Sequence, residues 1–215
     1  MADLLPFSTV LRERSGNAHA GSEHAGFMAD LIQGRGTRDD YIALTAQHWF
    51  IYQAIEHAAE TMKDDPVASV FVTDRLTRLP AIEADLEFLV GPGWRDRIAP
   101  LPTTIEYGER IREVGRDWPG GFIAHHYTRY LGDLSGGQFI SRLMQRRFGF
   151  ETNGVSFYLF AEIADPRAFK ETYRAQLDAA PWDADEQARV IDEVLRAYRF
   201  NTALFEDLSA AKLAA

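Results

Sequence analysis

His19 and Glu23 stand four residues apart in the run R-E-R-S-G-N-A-H-A-G-S-E-H from Arg12 to His24. In a helix that spacing puts both on one face. A carboxylate so placed can accept one imidazole N–H and turn the other ring nitrogen toward a metal. Gly16, Ala18, Ala20 and Gly21 flank the histidine; they add little to a core but let a broad ligand reach the ring. A surface His–Glu pair is the plain alternative. The second feature is the stretch Phe122–Gly149, F-I-A-H-H-Y-T-R-Y-L-G-D-L-S-G-G-Q-F-I-S-R-L-M-Q-R-R-F-G. It is patterned as one long amphipathic helix but carries Gly132, Gly136 and Gly137 at its centre. Each interior glycine costs about 1 kcal/mol against alanine, so the three cost about 3 kcal/mol, a large part of a stability of about 5–15 kcal/mol. Gly132 and Gly136 share a face about 6 Å apart along the axis. Main chain without side chains suits the close approach of something flat. A tight helix–helix crossing, or a helix break with Asp133 or Ser135 as N-cap, would use the same residues.

Other chemistries fail on spacing. The residues three before the six histidines are Gly16, Gly21, Thr45, Ala54, Phe122 and Ile123, so the Glu-x-x-His pair of a ferritin-like di-iron site is missing. No H-E-x-x-H, phosphate-binding glycine loop or G-x-S-x-G elbow occurs. With no cysteine, thiolate metal sites, disulfides and cysteine nucleophiles are excluded. His48 lies on an apolar stripe and reads as a core residue, while His57, His125 and His126 have no distinguishing partner spacing. A lone ligand on one helix and a bare strip on another suit a flat metal-bearing cofactor held between them, for which haem is the obvious candidate.

The elements that must position these residues are helical. Ser8 is expected to cap a helix running through His19 toward Glu23. Phe27, Met28, Leu31 and Ile32 form a second patch ended by Gly34-Arg35-Gly36. Thr37 caps a long helix in which Tyr41, Leu44, His48, Ile51, Tyr52 and Ile55 recur at helical spacing. Val67–Phe71 and Arg78–Leu89 read as further helical pieces, and Pro102 opens a helix to about Arg116. Pro119-Gly120-Gly121 separates that helix from the glycine-bearing one. Phe157–Ile163 is ambiguous between strand and helix; Pro166 starts a helix through Leu177, and Asp183 caps a last one to Leu208. No hairpin or period-two strand pair is visible, so the expectation is a single all-α domain over residues 1–215. The net charge of −9 argues against nucleic acid as partner. The N-terminus lacks the pattern of a signal peptide, and no apolar run is long enough to span a bilayer. A cytoplasmic location without a membrane anchor follows as the default.

The chain resembles the biliverdin-producing haem oxygenases, particularly the soluble bacterial type. The resemblance is carried by S-G-N-A-H-A-G-S-E-H at 15–24 and H-H-Y-T-R-Y-L-G-D-L-S-G-G-Q at 125–138, with W-F-I-Y-Q-A at 49–54, F-K-E-T-Y-R at 169–174 and Phe200-Asn201 in support. It implies a helical fold with haem b, both cofactor and substrate, between a proximal helix and a kinked distal helix. His19 matches the iron ligand and Glu23 the group that holds its other nitrogen. Gly132 and Gly136 match the glycines whose backbone lies against the haem face. Asp133 matches the distal aspartate that organises water near bound dioxygen, with Arg129 and Tyr52 in the same network. Arg12, Tyr127, Lys170 and Arg174 match propionate contacts; lysine is commoner where Arg12 stands, with the charge kept. Met28 and Phe200 match the pocket wall. The implied reaction is oxidative cleavage of haem by dioxygen and reductant to biliverdin, ferrous iron and carbon monoxide, favouring the α position and serving iron acquisition. Electrons would come from a reductase, ferredoxin or flavodoxin-type donor, with the chain acting as a monomer. The cluster Arg142, Arg146 and Arg147 could meet such an acidic donor or be a plain solvated face. A haem carrier of the same fold without turnover is the alternative. A thiaminase-like enzyme on this fold is disfavoured by the missing cysteine.

Overall fold

Thr37 accepts a hydrogen bond from the Asp40 main-chain N–H while the Asp40 carboxylate accepts the Thr37 N–H. This reciprocal cap starts α3 (Arg38–Met62) where the sequence pattern placed it. The computed structural model of the protein describes residues 5–23 and 26–214, with side chains at all of these except 22 and 23. α3 buries Tyr41, Leu44, His48, Ile51, Tyr52 and Ile55 and packs against α4 (Leu79–Val90) and α5 (Pro102–Asp117). The α3–α5 crossing is close because Gly115 faces Ala58: a Cβ on the glycine would sit 2.5 Å from the alanine methyl. No strand occurs among the described residues; the remainder is helix, short 3₁₀ turns and loops.

The helix carrying His19 is α1 (Phe7–Glu23). Ser8 does not cap it. The Ser8 N–H and hydroxyl donate instead to the two carboxylate oxygens of Asp178, at 2.7 and 3.0 Å. Asp178 belongs to α8 (Pro166–Ala179), so a distant carboxylate meets the positive end of α1. α2 (Gly26–Ile32), α1 and α6 (Pro119–His126) all pack on the last helix, α9 (Ala184–Ala214). α9 is opened by Asp183, whose carboxylate accepts the Glu186 N–H at 2.8 Å. The two helices do part here, at the extended Trp118, but Pro119-Gly120-Gly121 itself is the first turn of α6. Its glycines are there for packing, since a Cβ on Gly120 would lie 2.5 Å from the Glu186 carboxylate and one on Gly121 would collide with the Trp118 ring. Val67–Phe71 yields only a 3₁₀ turn at Ser69–Phe71. The ambiguous Phe157–Ile163 contains no strand. Its start is pinned by Asp85, which accepts the N–H groups of Gly154, Ser156 and Phe157 at 2.8, 3.0 and 2.8 Å.

α6 runs on without a break through two π-helical turns, Tyr127–Leu131 and Asp133–Gly137, into α7 (Gln138–Phe148). Neither Asp133 nor Ser135 caps a new helix here. The Thr128 and Ser135 hydroxyls bond back to the Ala124 and Leu131 carbonyls at 2.8 and 2.7 Å, a pattern that bends helices. None of the three glycines has a positive φ, so space and not backbone freedom explains them. They divide into two kinds. A Cβ on Gly132 or Gly136 would meet nothing within 4 Å, whereas one on Gly137 would lie 2.6 Å from the buried Tyr158 ring.

Buried polar groups tie these helices together. Glu193 of α9 takes a bidentate contact from Arg110 of α5, at 2.9 and 2.8 Å, and sits 2.9 Å from His125 Nε2 of α6. Burial alone would raise its carboxyl, but the Arg110 and His125 bonds outweigh that and hold it down to about 2. His126 Nδ1 lies 2.9 Å from the Tyr173 hydroxyl, and burial pushes this histidine down to about 3.

Two outcomes are expected. Gly137→Ala destabilises the protein by about 1–3 kcal/mol by overpacking against Tyr158, while Gly136→Ala leaves it unchanged or gains up to about 1 kcal/mol, measured by urea unfolding. Because the folded state holds His126 neutral, its contribution is complete above the ordinary value of 6.5 and is lost as pH falls toward about 3. Unfolding free energy should drop across that window by up to about 1.4 kcal/mol per pH unit for this group, and His126→Gln should flatten the slope.

Candidate functional site

Between α1 and the π-helical turns lies a cavity of about 270 Å³, and beside it a second of about 110 Å³. His19, Gly132 and Tyr198 line both, so the two form one slot with the imidazole and the bare Gly132 backbone in its walls. Gly136 lines the inner part. The open space above Gly132 and Gly136 therefore faces the same slot as His19, and the close-crossing alternative for these two glycines is not what the fold uses.

The outer part is cationic. Arg12 of α1 and Arg174 of α8 line it together with Tyr127. Burial raises the Tyr127 phenol, opposed by the charges of Arg174 and Arg12, which line the same cavity. Lys170 sits just beyond, its ammonium donating to the Ser135 hydroxyl at 3.0 Å. Burial, then the charge of Arg174, lowers its pKa. Among the described residues no carboxylate pairs with Arg12, Lys170 or Arg174. In a chain with net charge −9, this unbalanced group of cations marks a place for an anion brought from outside.

The inner part holds a carboxyl. Asp133 accepts a hydrogen bond from the Tyr52 hydroxyl and lies 4.0 Å from an Arg129 guanidinium nitrogen. Arg129 in turn donates to the Asn201 side-chain oxygen at 3.2 Å and stacks over the Tyr52 ring. Burial raises the Asp133 carboxyl above the usual range, against the pull of Arg129 and Tyr52. Arg129 Nε and the Tyr107 hydroxyl are buried without a partner among the described residues, the condition under which ordered water is usually found. A raised carboxyl with fixed hydrogen-bond partners at a cavity wall can hold and pass protons.

The sequence-derived site residues assemble with few exceptions. Arg12, His19, Tyr127, Gly132 and Arg174 line the outer slot; Met28, Arg129, Asp133 and Gly136 line the inner one. Tyr52 stands directly behind Asp133. Lys170 reaches the slot only through Ser135. Phe200 is a correction: its ring stacks on Tyr107 with centroids 4.8 Å apart and planes at 9°, and it is not in the slot lining. Two residues past Tyr198, it is turned about 200° round α9. The α9 residues that do line the slot are Tyr198, Asn201 and Phe205, at i, i+3 and i+7. Neither Tyr198 nor Phe205 stood out as a site residue in the sequence, and Asn201 entered only through the Phe200-Asn201 match. A polar Asn within the buried stripe of α9 was the available signal. The Glu23 side chain, expected to orient His19, lies outside the described residues, as does His24.

Comparison with known proteins agrees with this arrangement. The family model described as heme oxygenase matches residues 5–207. Heme oxygenase 1 of Synechocystis sp. is 34% identical over 201 residues, covering 94% of this chain and 84% of that protein. Human heme oxygenase 1 is 37% identical over 204 residues, covering 94% and 71%. The crystal structure of heme oxygenase-1 from Synechocystis sp. PCC6803 in complex with heme superposes with a TM-score of 0.92 at 33% identity, over 98% of this chain and 95% of that one. Heme oxygenase from Leptospira interrogans gives 0.89 at 30% identity, over 94% and 98%. No helix of the described residues is long and apolar enough to cross a membrane. Spanning every helix that builds the slot, these matches place the chain in the heme oxygenase family.

Proposed function

We propose that the protein cleaves haem oxidatively, with dioxygen and externally supplied electrons, to biliverdin, ferrous iron and carbon monoxide. The observation that carries this reading is the slot, with side-chain-free backbone at Gly132 and Gly136 on one wall and the His19 imidazole reaching the same space. Haem suits that donor set: a flat ring for the backbone, iron for the imidazole and two carboxylates for the cationic mouth. When bound, haem supplies both the iron at which dioxygen reacts and the ring that is opened.

The chain's own residues divide the remaining work. His19 would hold the iron through an imidazole nitrogen. Arg12, Arg174, Tyr127 and Lys170 bind the propionates and so fix the rotation of the ring, which selects the carbon attacked. Gly132 and Gly136 keep bulky side chains away from the reacting face. Asp133, held by Tyr52 and steadied by Arg129, supplies protons at that face by way of water, in keeping with the unpartnered donors beside it. Met28 and Phe205 close the inner end. Electrons come from a separate reductase, ferredoxin or flavodoxin-type protein, for which the exposed Arg142, Arg146 and Arg147 offer a basic docking face. The chain works as one monomeric domain in the cytoplasm.

The test is aerobic incubation of the hemin complex with a reductant, followed by chromatography of the pigment. Biliverdin is expected; bound hemin that yields none would leave a carrier. Asp133→Ala should retain hemin but lose biliverdin formation by about 10²-fold or more, and normal turnover in that variant would remove Asp133 from the mechanism. Gly136→Val places a branched side chain in the slot. It should weaken hemin binding by about tenfold or more in an absorbance titration, and unchanged affinity would show that the ring lies elsewhere.

A further inference from the structure

We infer that Tyr198 is a positioning residue for His19, its ring fixing the plane in which the imidazole meets the iron. The inference rests on the reading of His19 as the axial ligand. A helical side chain leans back over the residues three and four before it, and for His19 these are Gly16 and Ser15, small neighbours that leave room for another ring beside the imidazole. A Cβ on Gly16, or on Gly21 beyond, would meet nothing within 4 Å. The ring that does stand against the imidazole is Tyr198, with centroids 5.7 Å apart and planes at 83°. The torsion turning an imidazole about its Cβ–Cγ bond has broad, shallow wells. An edge-to-face neighbour restricts it.

Tyr198 is itself well held. It is 8% exposed, lies within the long α9 helix and lines both parts of the slot. One turn on, Asn201 accepts the Arg129 hydrogen bond. A single rigid helix thus sets the imidazole on one side of the slot and the Arg129–Asp133 pair on the other. The plane of an axial imidazole decides which iron d orbital it overlaps, and so how unpaired spin spreads over the porphyrin. That distribution can be read directly, without turnover.

The experiment compares the ferric, cyanide-ligated hemin complexes of the full chain, Tyr198→Phe and Tyr198→Leu by proton NMR of the hyperfine-shifted haem methyls. The expected result is the same order and spread of methyl shifts in the parent and Tyr198→Phe, which keeps the ring. Tyr198→Leu keeps apolar volume but should lose that pattern, with hemin affinity weakened by about 2- to 10-fold. An unchanged pattern in Tyr198→Leu, in a parent complex showing axial histidine ligation, overturns this inference alone. The same disturbance in Tyr198→Phe also overturns it, because the hydroxyl would then be responsible. A parent complex without an axial imidazole overturns the reading of His19 and this inference with it.

Discussion

Two turns of helix must present bare main chain to an imidazole across a slot, and most of the structure serves that requirement. A Cβ at Gly132 or Gly136 would stand in open space, and packed protein does not leave such space without use. Keeping the strip in place needs support from behind. Gly137 gives it by letting the Tyr158 ring press against the helix, and the π turns and the back-bonding Thr128 and Ser135 hydroxyls set the bend. Glycines thus act in opposite ways within six residues: two hold space open, and one permits the contact that braces them.

Charge is arranged along the slot in the same purposeful order. The surface is strongly acidic overall, yet the mouth gathers Arg12, Lys170 and Arg174 without carboxylate partners among the described residues. An anion would be drawn to this point and held with its polar edge outward. At the inner end one half-buried carboxyl, Asp133, is kept by Tyr52 and Arg129 in an environment that disfavours its ionised form. α9 links the two ends, because Tyr198, Asn201 and Phe205 project from one side of it into the slot.

Much of this was legible in the chain itself. The His19 run and the three-glycine stretch named the two walls, and the capping signals at Thr37, Asp183 and Pro102 held. What could not be read was geometry set by distant partners. Asp178 takes the start of α1 from another helix, so Ser8 looked like a cap and is not. Pro119-Gly120-Gly121 carries the composition of a turn, but Trp118 and α9 press so closely that glycine is needed inside a helix. Phe200 was assigned to the wall from a motif, whereas the helical turn sends Tyr198 and Asn201 there instead. The division of labour among Gly132, Gly136 and Gly137 depends on Tyr158, which follows Gly137 by 21 residues and has no periodic relation to it.

On this reading a flat iron-bearing ring lies between His19 and the Gly132–Gly136 backbone, with its carboxylates at Arg12 and Arg174. A crystal structure of the hemin complex tests it most directly. Expected are iron bonded to a His19 ring nitrogen, the opposite face of the ring against the main chain of Gly132 and Gly136, and the propionates at the arginines. Hemin bound outside this slot, or held by another residue with those two glycines facing solvent, would contradict it.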